Sequence, residues 1–211
     1  MGLIGDRGGV DKLHAQGLTG KGKHIAILDT GVDYLHPALG GGFGPGFKVT
    51  KGYDFVGDAY DGTNTPVDSG PDPYTNCSAH GTHVAGAYLS SANAPVLIYL
   101  SGIIGANANE FNFTGVAPDA TLSMYKVFGC TGSVNDDILI KATLTAFQER
   151  PDAISISIGG TSGWTESPWT AVAAKVAQAG TPILLAAGND GANGAFTGSE
   201  AADGLSNRSI S

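Results

Sequence analysis

Apolar residues along the chain gather into short runs, separated by stretches rich in glycine, aspartate and proline. Lys23-His24-Ile25-Ala26-Ile27-Leu28-Asp29 is entered from glycine-rich residues 17–22 and left through Thr30-Gly31, the pattern of a buried strand with Asp29 at its C-terminal end. Thr121–Phe128, Ala153–Ile158 and Pro182–Ala187 have the same form, and the last two run out into Gly159-Gly160 and Gly188-Asn189. Between them, Ser133–Glu149 places Ile138, Ala142, Leu144 and Phe147 at helical spacing, with Ser133 as the predicted N-cap. Pro168–Gln178 predicts a second helix, closed by Gly180, and His80–Gly86 a helix start. Residues 40–75 read as surface loops with one strand at Lys51–Phe55.

This alternation predicts βαβ units: an α/β fold with a mostly parallel sheet and helices on both faces, which accounts for near-continuous apolar strands such as Ile25–Leu28 and Ile183–Ala187. No repeat or linker divides the chain, so residues 1–211 are expected to belong to one domain. In such a sheet ligands bind outside the carboxyl ends of the strands, where Asp29, Gly159-Gly160 and Gly188-Asn189 all fall. An aspartate after a strand is most often a turn or cap residue, so position alone does not give Asp29 a chemical role.

Composition narrows the function classes. Glycine supplies 33 of 211 residues, roughly one in six against a usual ~7%, and charged residues are only 14%, which implies many tight turns and a dry interior. A net charge of −8 repels phosphate backbones and anionic membrane surfaces, so neither nucleic acid nor membrane is an expected partner. No apolar run approaches the ~20 residues needed to span a bilayer, and the first residues do not have the form of a secretory signal.

Three segments change the picture: Ile27-Leu28-Asp29-Thr30-Gly31-Val32-Asp33, Ala79-His80-Gly81-Thr82-His83-Val84-Ala85-Gly86 and Leu185-Ala186-Ala187-Gly188-Asn189-Asp190-Gly191. At these residues, and from about Val10 to Gly194, the chain resembles the subtilisin-like serine peptidases. The resemblance implies that Asp29 is the aspartate and His80 the general base of an Asp-His-Ser triad. A histidine titrating near neutrality can take a serine's proton and return it to the leaving amine, while a buried carboxylate fixes its tautomer. Asn189 matches the family's oxyanion-hole asparagine, a donor whose loss costs about 2.7–4 kcal/mol. Ser157-Ile158-Gly159-Gly160 looks like the segment that pairs with extended substrate, and Tyr125, Val127 and Gly129 belong to the facing segment. On periodicity alone, both would be core strand followed by a turn.

The resemblance further implies a Cys77–Cys130 disulfide in an oxidising compartment, polypeptide substrates, an inhibitory propeptide, a monomeric state and an extracellular or secretory location. Three Asn-x-Ser/Thr triplets, at Asn76, Asn112 and Asn207, favour export only mildly. No cofactor or metal is expected: His83 lies three residues after His80 without a third ligand pattern, and Ala38 follows His36-Pro37 where the family often has an acidic calcium ligand. His36 is expected to be structural.

Two stretches depart from the family pattern. Residues 87–102 introduce Pro95 and β-rich Val96-Leu97-Ile98-Tyr99, and without them Gly86 would join Ile103-Ile104-Gly105 in a family-like helix; they read as an aberrant insertion, such as translated intron. The family's nucleophile lies in Gly-Thr-Ser-Met-Ala-x-Pro, which does not occur before Ser211. Gly160-Thr161-Ser162 continues into Gly163-Trp164 and precedes Asn189, while Ser199, Ser206, Ser209 and Ser211 lack the setting. The expectation is a subtilisin-like endopeptidase sequence holding Asp and His but not Ser, inactive as 211 residues, with a non-catalytic peptide-binding or regulatory fragment as the alternative.

Overall fold

The computed structural model describes residues 9–86, 114–162, 167–189, 192 and 198–199. The expected insertion at 87–102 and the triplets at Asn112 and Asn207 lie outside the described residues. Among the described residues, five parallel strands form the central sheet: β1 (His24–Asp29), β2 (Val49–Asp54), β3 (Thr121–Lys126), β4 (Ala153–Ile156) and β6 (Ile183–Leu185). Their order is β2-β3-β1-β4-β6 among the described residues, so the chain passes from β1 to the edge strand β2, returns to β3 beside β1, and then crosses to β4 on the other side, which leaves β1 in the middle of the sheet. A two-residue antiparallel pair, β5 (Thr161–Ser162) with β7 (Gly198–Ser199), has no counterpart in the sequence expectation.

The α-helices of the described residues are α1 (Val10–Ala15), α2 (His80–Val84), α3 (Asp136–Gln148) and α4 (Pro168–Gln178). Strand alternation sorts the side chains onto two faces. Ala26, Leu28, Tyr125, Val127, Ile154, Ile156, Ile183 and Leu185 pack against Ile138, Leu139 and Ala142 of α3 and Trp169, Ala173 and Val176 of α4. The Trp169 indole N–H donates to Thr143 Oγ1 at 3.2 Å within this layer, so its polar edge is satisfied. On the opposite face Ile27, Leu122, Met124 and Val49 pack against Val84 and Ala85.

Ser133 does not cap α3. Its amide donates to Asp61 O, which commits it to a loop contact, and the helix starts after Asn135, whose extended backbone (φ −91°, ψ 154°) makes the turn into the helix. The α4 start follows the expected chemistry: the Ser167 side chain accepts from Thr170 N, and Pro168 occupies the first turn. The strands stop short of their apolar runs, at Lys126, Ile156 and Leu185. Parallel partners end together, with Asp29 opposite Lys126, Leu28 opposite Ile156 and Ile156 opposite Leu185. The following apolar residues project beyond the sheet, a distinction that hydrophobicity cannot make. Leu184 also departs from the expected two-sided burial and is 39% exposed. Among the described residues, the core opposite α3 and α4 includes no side chain of β4 or β6.

Candidate active site

Asp29 closes β1 with a fully buried carboxylate, and alternation places it on the Ile27 face, where α2 lies. Its Oδ1 accepts from Thr30 N at 2.7 Å and meets His80 Nδ1 at 2.7 Å. His80 is the first residue of α2, and its side chain is 55% exposed, so the imidazole spans a buried anion and an open surface. Among the described residues, Asp29 Oδ2 has no hydrogen-bond partner.

Glycine makes this approach possible. A Cβ on Gly81 would stand 2.1 Å from Gly31 O and 3.0 Å from Asp29 Oδ1, so only glycine lets α2 rest directly on the end of β1. The contact is fixed by Gly81 N donating to Thr30 Oγ1 at 3.0 Å and Asp33 N donating to Thr82 Oγ1 at 2.8 Å. Val84 and Ala85 then anchor the helix in the core.

The hydrogen bond to Asp29 raises the His80 pKa above its ordinary 6.5, assisted by the carboxylate's charge and opposed by partial burial. His83 moves the other way, lowered first by burial and then by the charge of His80. Because Nδ1 faces the carboxylate, the neutral ring leaves Nε2 as an acceptor, the arrangement of a general base. Among the described residues, the one close group of potential metal ligands is Asp58, Cys77 and Cys130, and there the sulfurs are bonded to each other. His36 accepts from Ala38 N through Nδ1 and starts the turn Pro37–Leu39.

The remaining expected site residues lie at the same end of the sheet. Gly159, Gly160 and Asn189 are exposed, whereas Ser157 and Ile158 are partly buried. Asn189 follows Gly188, whose φ of 95° turns the chain out of β6. Tyr125 and Val127 point into the core, so only their backbone could face a ligand. Gly129 has a packing reason that the sequence did not reveal: a Cβ there would lie 2.0 Å from Tyr60 O. Cys77 and Cys130 form a disulfide with Cα atoms 5.4 Å apart, tying the approach to His80 to the segment after β3. Thr161 and Ser162 lie in β5.

A buried ionic cluster went unnoticed in the sequence. Lys126, fully buried, places Nζ 3.4 Å from Asp54 Oδ2 and 3.2 Å from Asp58 Oδ1. The available signal was a lysine inside the apolar run Thr121–Phe128, a position rarely occupied by an unpaired charge.

In this parallel α/β sheet a buried strand-end carboxylate meets an exposed histidine of the adjoining helix at hydrogen-bond distance. Comparison with known proteins gives the chain a family: residues 20–211 match the model of the subtilase family, and the chain belongs to it. It is 37% identical over 186 residues to the minor extracellular protease Vpr of Bacillus subtilis (strain 168), a match covering 87% of this chain and 20% of that protein. With subtilisin E of the same strain it shares 33% identity over 182 residues, 86% of this chain and 38% of that protein. With the subtilisin of Bacillus pumilus it shares 32% over 182 residues, 86% of this chain and 53% of that protein. The chain therefore spans from a fifth to about half the length of these relatives. Among the described residues, no helix is long and apolar enough to cross a membrane.

Proposed function

We propose that this protein is a serine endopeptidase of the subtilisin-like type, with His80 as general base and Asp29 as the carboxylate that holds its tautomer. The 2.7 Å contact between His80 Nδ1 and the buried Asp29 Oδ1 carries the reading. Nε2 takes the proton of a serine hydroxyl as the oxygen attacks the scissile carbonyl, then delivers it to the departing amine. The Asn189 side-chain amide donates to the oxyanion of the tetrahedral intermediate. An extended polypeptide adds as a strand along Ser157-Ile158-Gly159-Gly160 and the backbone of Tyr125, Val127 and Gly129. Exposed Gly160, with open space where a Cβ would stand, leaves room for close approach of substrate backbone.

No serine of these 211 residues stands in the family's nucleophile motif, so the reading assigns that role to sequence outside them. The 211 residues alone are inactive in this reading. It also places the protein outside the cell as a monomer, synthesised with an inhibitory propeptide, and takes residues 1–211 as part of one peptidase domain in which 87–102 is an insertion. The disulfide and the name of the extracellular relative support export.

A serine-directed phosphonate tests the assignment. The full-length protein is expected to be labelled, Asp29→Asn and His80→Ala variants of it not, and the isolated 211 residues not. Absence of label on folded, propeptide-free full-length protein would overturn the peptidase reading in favour of the peptide-binding one.

A further inference from the structure

Resting on the peptidase reading, we propose that Lys126 is a positioning residue for extended substrates: its buried ammonium, held between Asp54 and Asp58, sets the segment 127–130, whose Val127 and Gly129 backbone that reading lays along the substrate as a wall. Three neighbouring strands end together here, with Lys126 opposite both Asp29 of β1 and Asp54 of β2. The lysine stem runs beneath the turn after the catalytic aspartate, since a Cβ on Gly31 would meet Lys126 Cδ at 3.0 Å. Its head reaches the other way, toward the loop that follows β2.

Each carboxylate transmits this anchor to the backbone. Asp54 Oδ1 accepts from Val56 N at 3.0 Å and Gly57 N at 2.8 Å, which shapes the turn, while Oδ2 faces the ammonium. Asp58 receives the cation through its side chain, and its carbonyl accepts from Cys130 N at 2.9 Å. Phe55 N donates to Lys126 O, and Val127 N to Asp29 O, so the segment leaves the sheet stitched to both neighbouring strands. Cys130 passes the constraint through the disulfide to Cys77, three residues before His80.

Among the described residues the buried Nζ makes no hydrogen bond, and both ion pairs are longer than the ~2.7–2.9 Å of a charge-assisted bond. The ammonium thus acts as a charge between two carboxylates that would otherwise repel. Removing it separates the Asp58 loop from segment 127–130, which shifts that segment while the Asp29–His80 hydrogen bond, to which Lys126 contributes no atom, is kept. An extended peptide senses that wall along several residues, whereas a single-residue ester does not.

The experiment compares both substrates on full-length protein, with concentrations set by active-site titration. For Lys126→Met the expected result is a KM for an extended peptide raised on the order of tenfold, with kcat and the kinetics of the ester nearly unchanged. Lys126→Arg restores most of the loss. Asp58→Asn, altering an exposed carboxylate, shifts peptide KM in the same direction by a smaller factor, and it decides the matter if Lys126→Met does not fold. Equal effects on peptide and ester, or no effect of either substitution, would overturn the positioning role while leaving the wild-type activity in place. A wild-type protein that hydrolyses neither substrate fails the peptidase reading instead.

Discussion

The two faces of the sheet are built on different principles. Beneath α3 and α4 the packing is mostly hydrocarbon and runs from β3 to β6, and the buried polar side chains there, such as Thr143 against the Trp169 indole and Ser123 against His24, are uncharged hydroxyls. On the α2 face the apolar layer gives way at the strand ends to buried Asp29, Asp54 and Lys126. Buried charge costs free energy unless it is paired, so the first face fits a stabilising role and the second a role in holding chemistry in place. Separating stability from activity by face is therefore the sharpest test of the architecture.

Asp29→Asn should have the largest effect. It keeps the shape of the α2 face but removes the carboxylate that selects the His80 tautomer, and kcat of the full-length enzyme should fall by about 10⁴ with little change in thermal stability. Trp169→Ala is the reciprocal experiment: it should cost about 3–5 kcal/mol in denaturant unfolding, with kcat per folded molecule unchanged. A large fall in kcat there would show that the faces are not separable.

The disulfide sits between these extremes. Cys77→Ser with Cys130→Ser should destabilise by about 2–4 kcal/mol and lower kcat modestly, because the crosslink spans 53 residues and ends near the base. The smallest expected effect is a displacement of the pH profile. Activity requires neutral His80, so kcat/KM should fall as pH drops through its raised pKa, and that acid limb should move to lower pH in Asp29→Asn. Stability has the opposite sign. The pair's contribution is complete below the unfolded histidine's ~6.5 and fades as pH rises through the folded value. An acid limb unmoved by Asp29→Asn would mean that another group limits the rate.

The apolar layer was legible because helical spacing and strand runs report burial directly, and α4 spans Pro168–Gln178 as expected. Strand ends were not, because Val127, Ile158 and Ala186 are as apolar as the ladder residues before them. Ser133 and Asn135 are both acceptable caps, and the choice between them depends on Asp61, distant in sequence. Motif resemblance supplied Asp29, His80 and the cysteine pair, none of which composition or periodicity could have joined. Lys126 was hidden for a related reason: its two partners come from β2 and the loop after it, and only the parallel register brings them to one lysine.

The Cys77–Cys130 bond also changes what a broken chain would be. Any peptide bond cut between residues 78 and 129 leaves one covalent molecule rather than two, because the sulfurs bridge the gap. Wherever such a nick falls after His80, the histidine stays on the same piece as Asp29 and Cys77. A protein exposed to proteolysis can thus be opened once in this region and migrate intact until a reductant parts it.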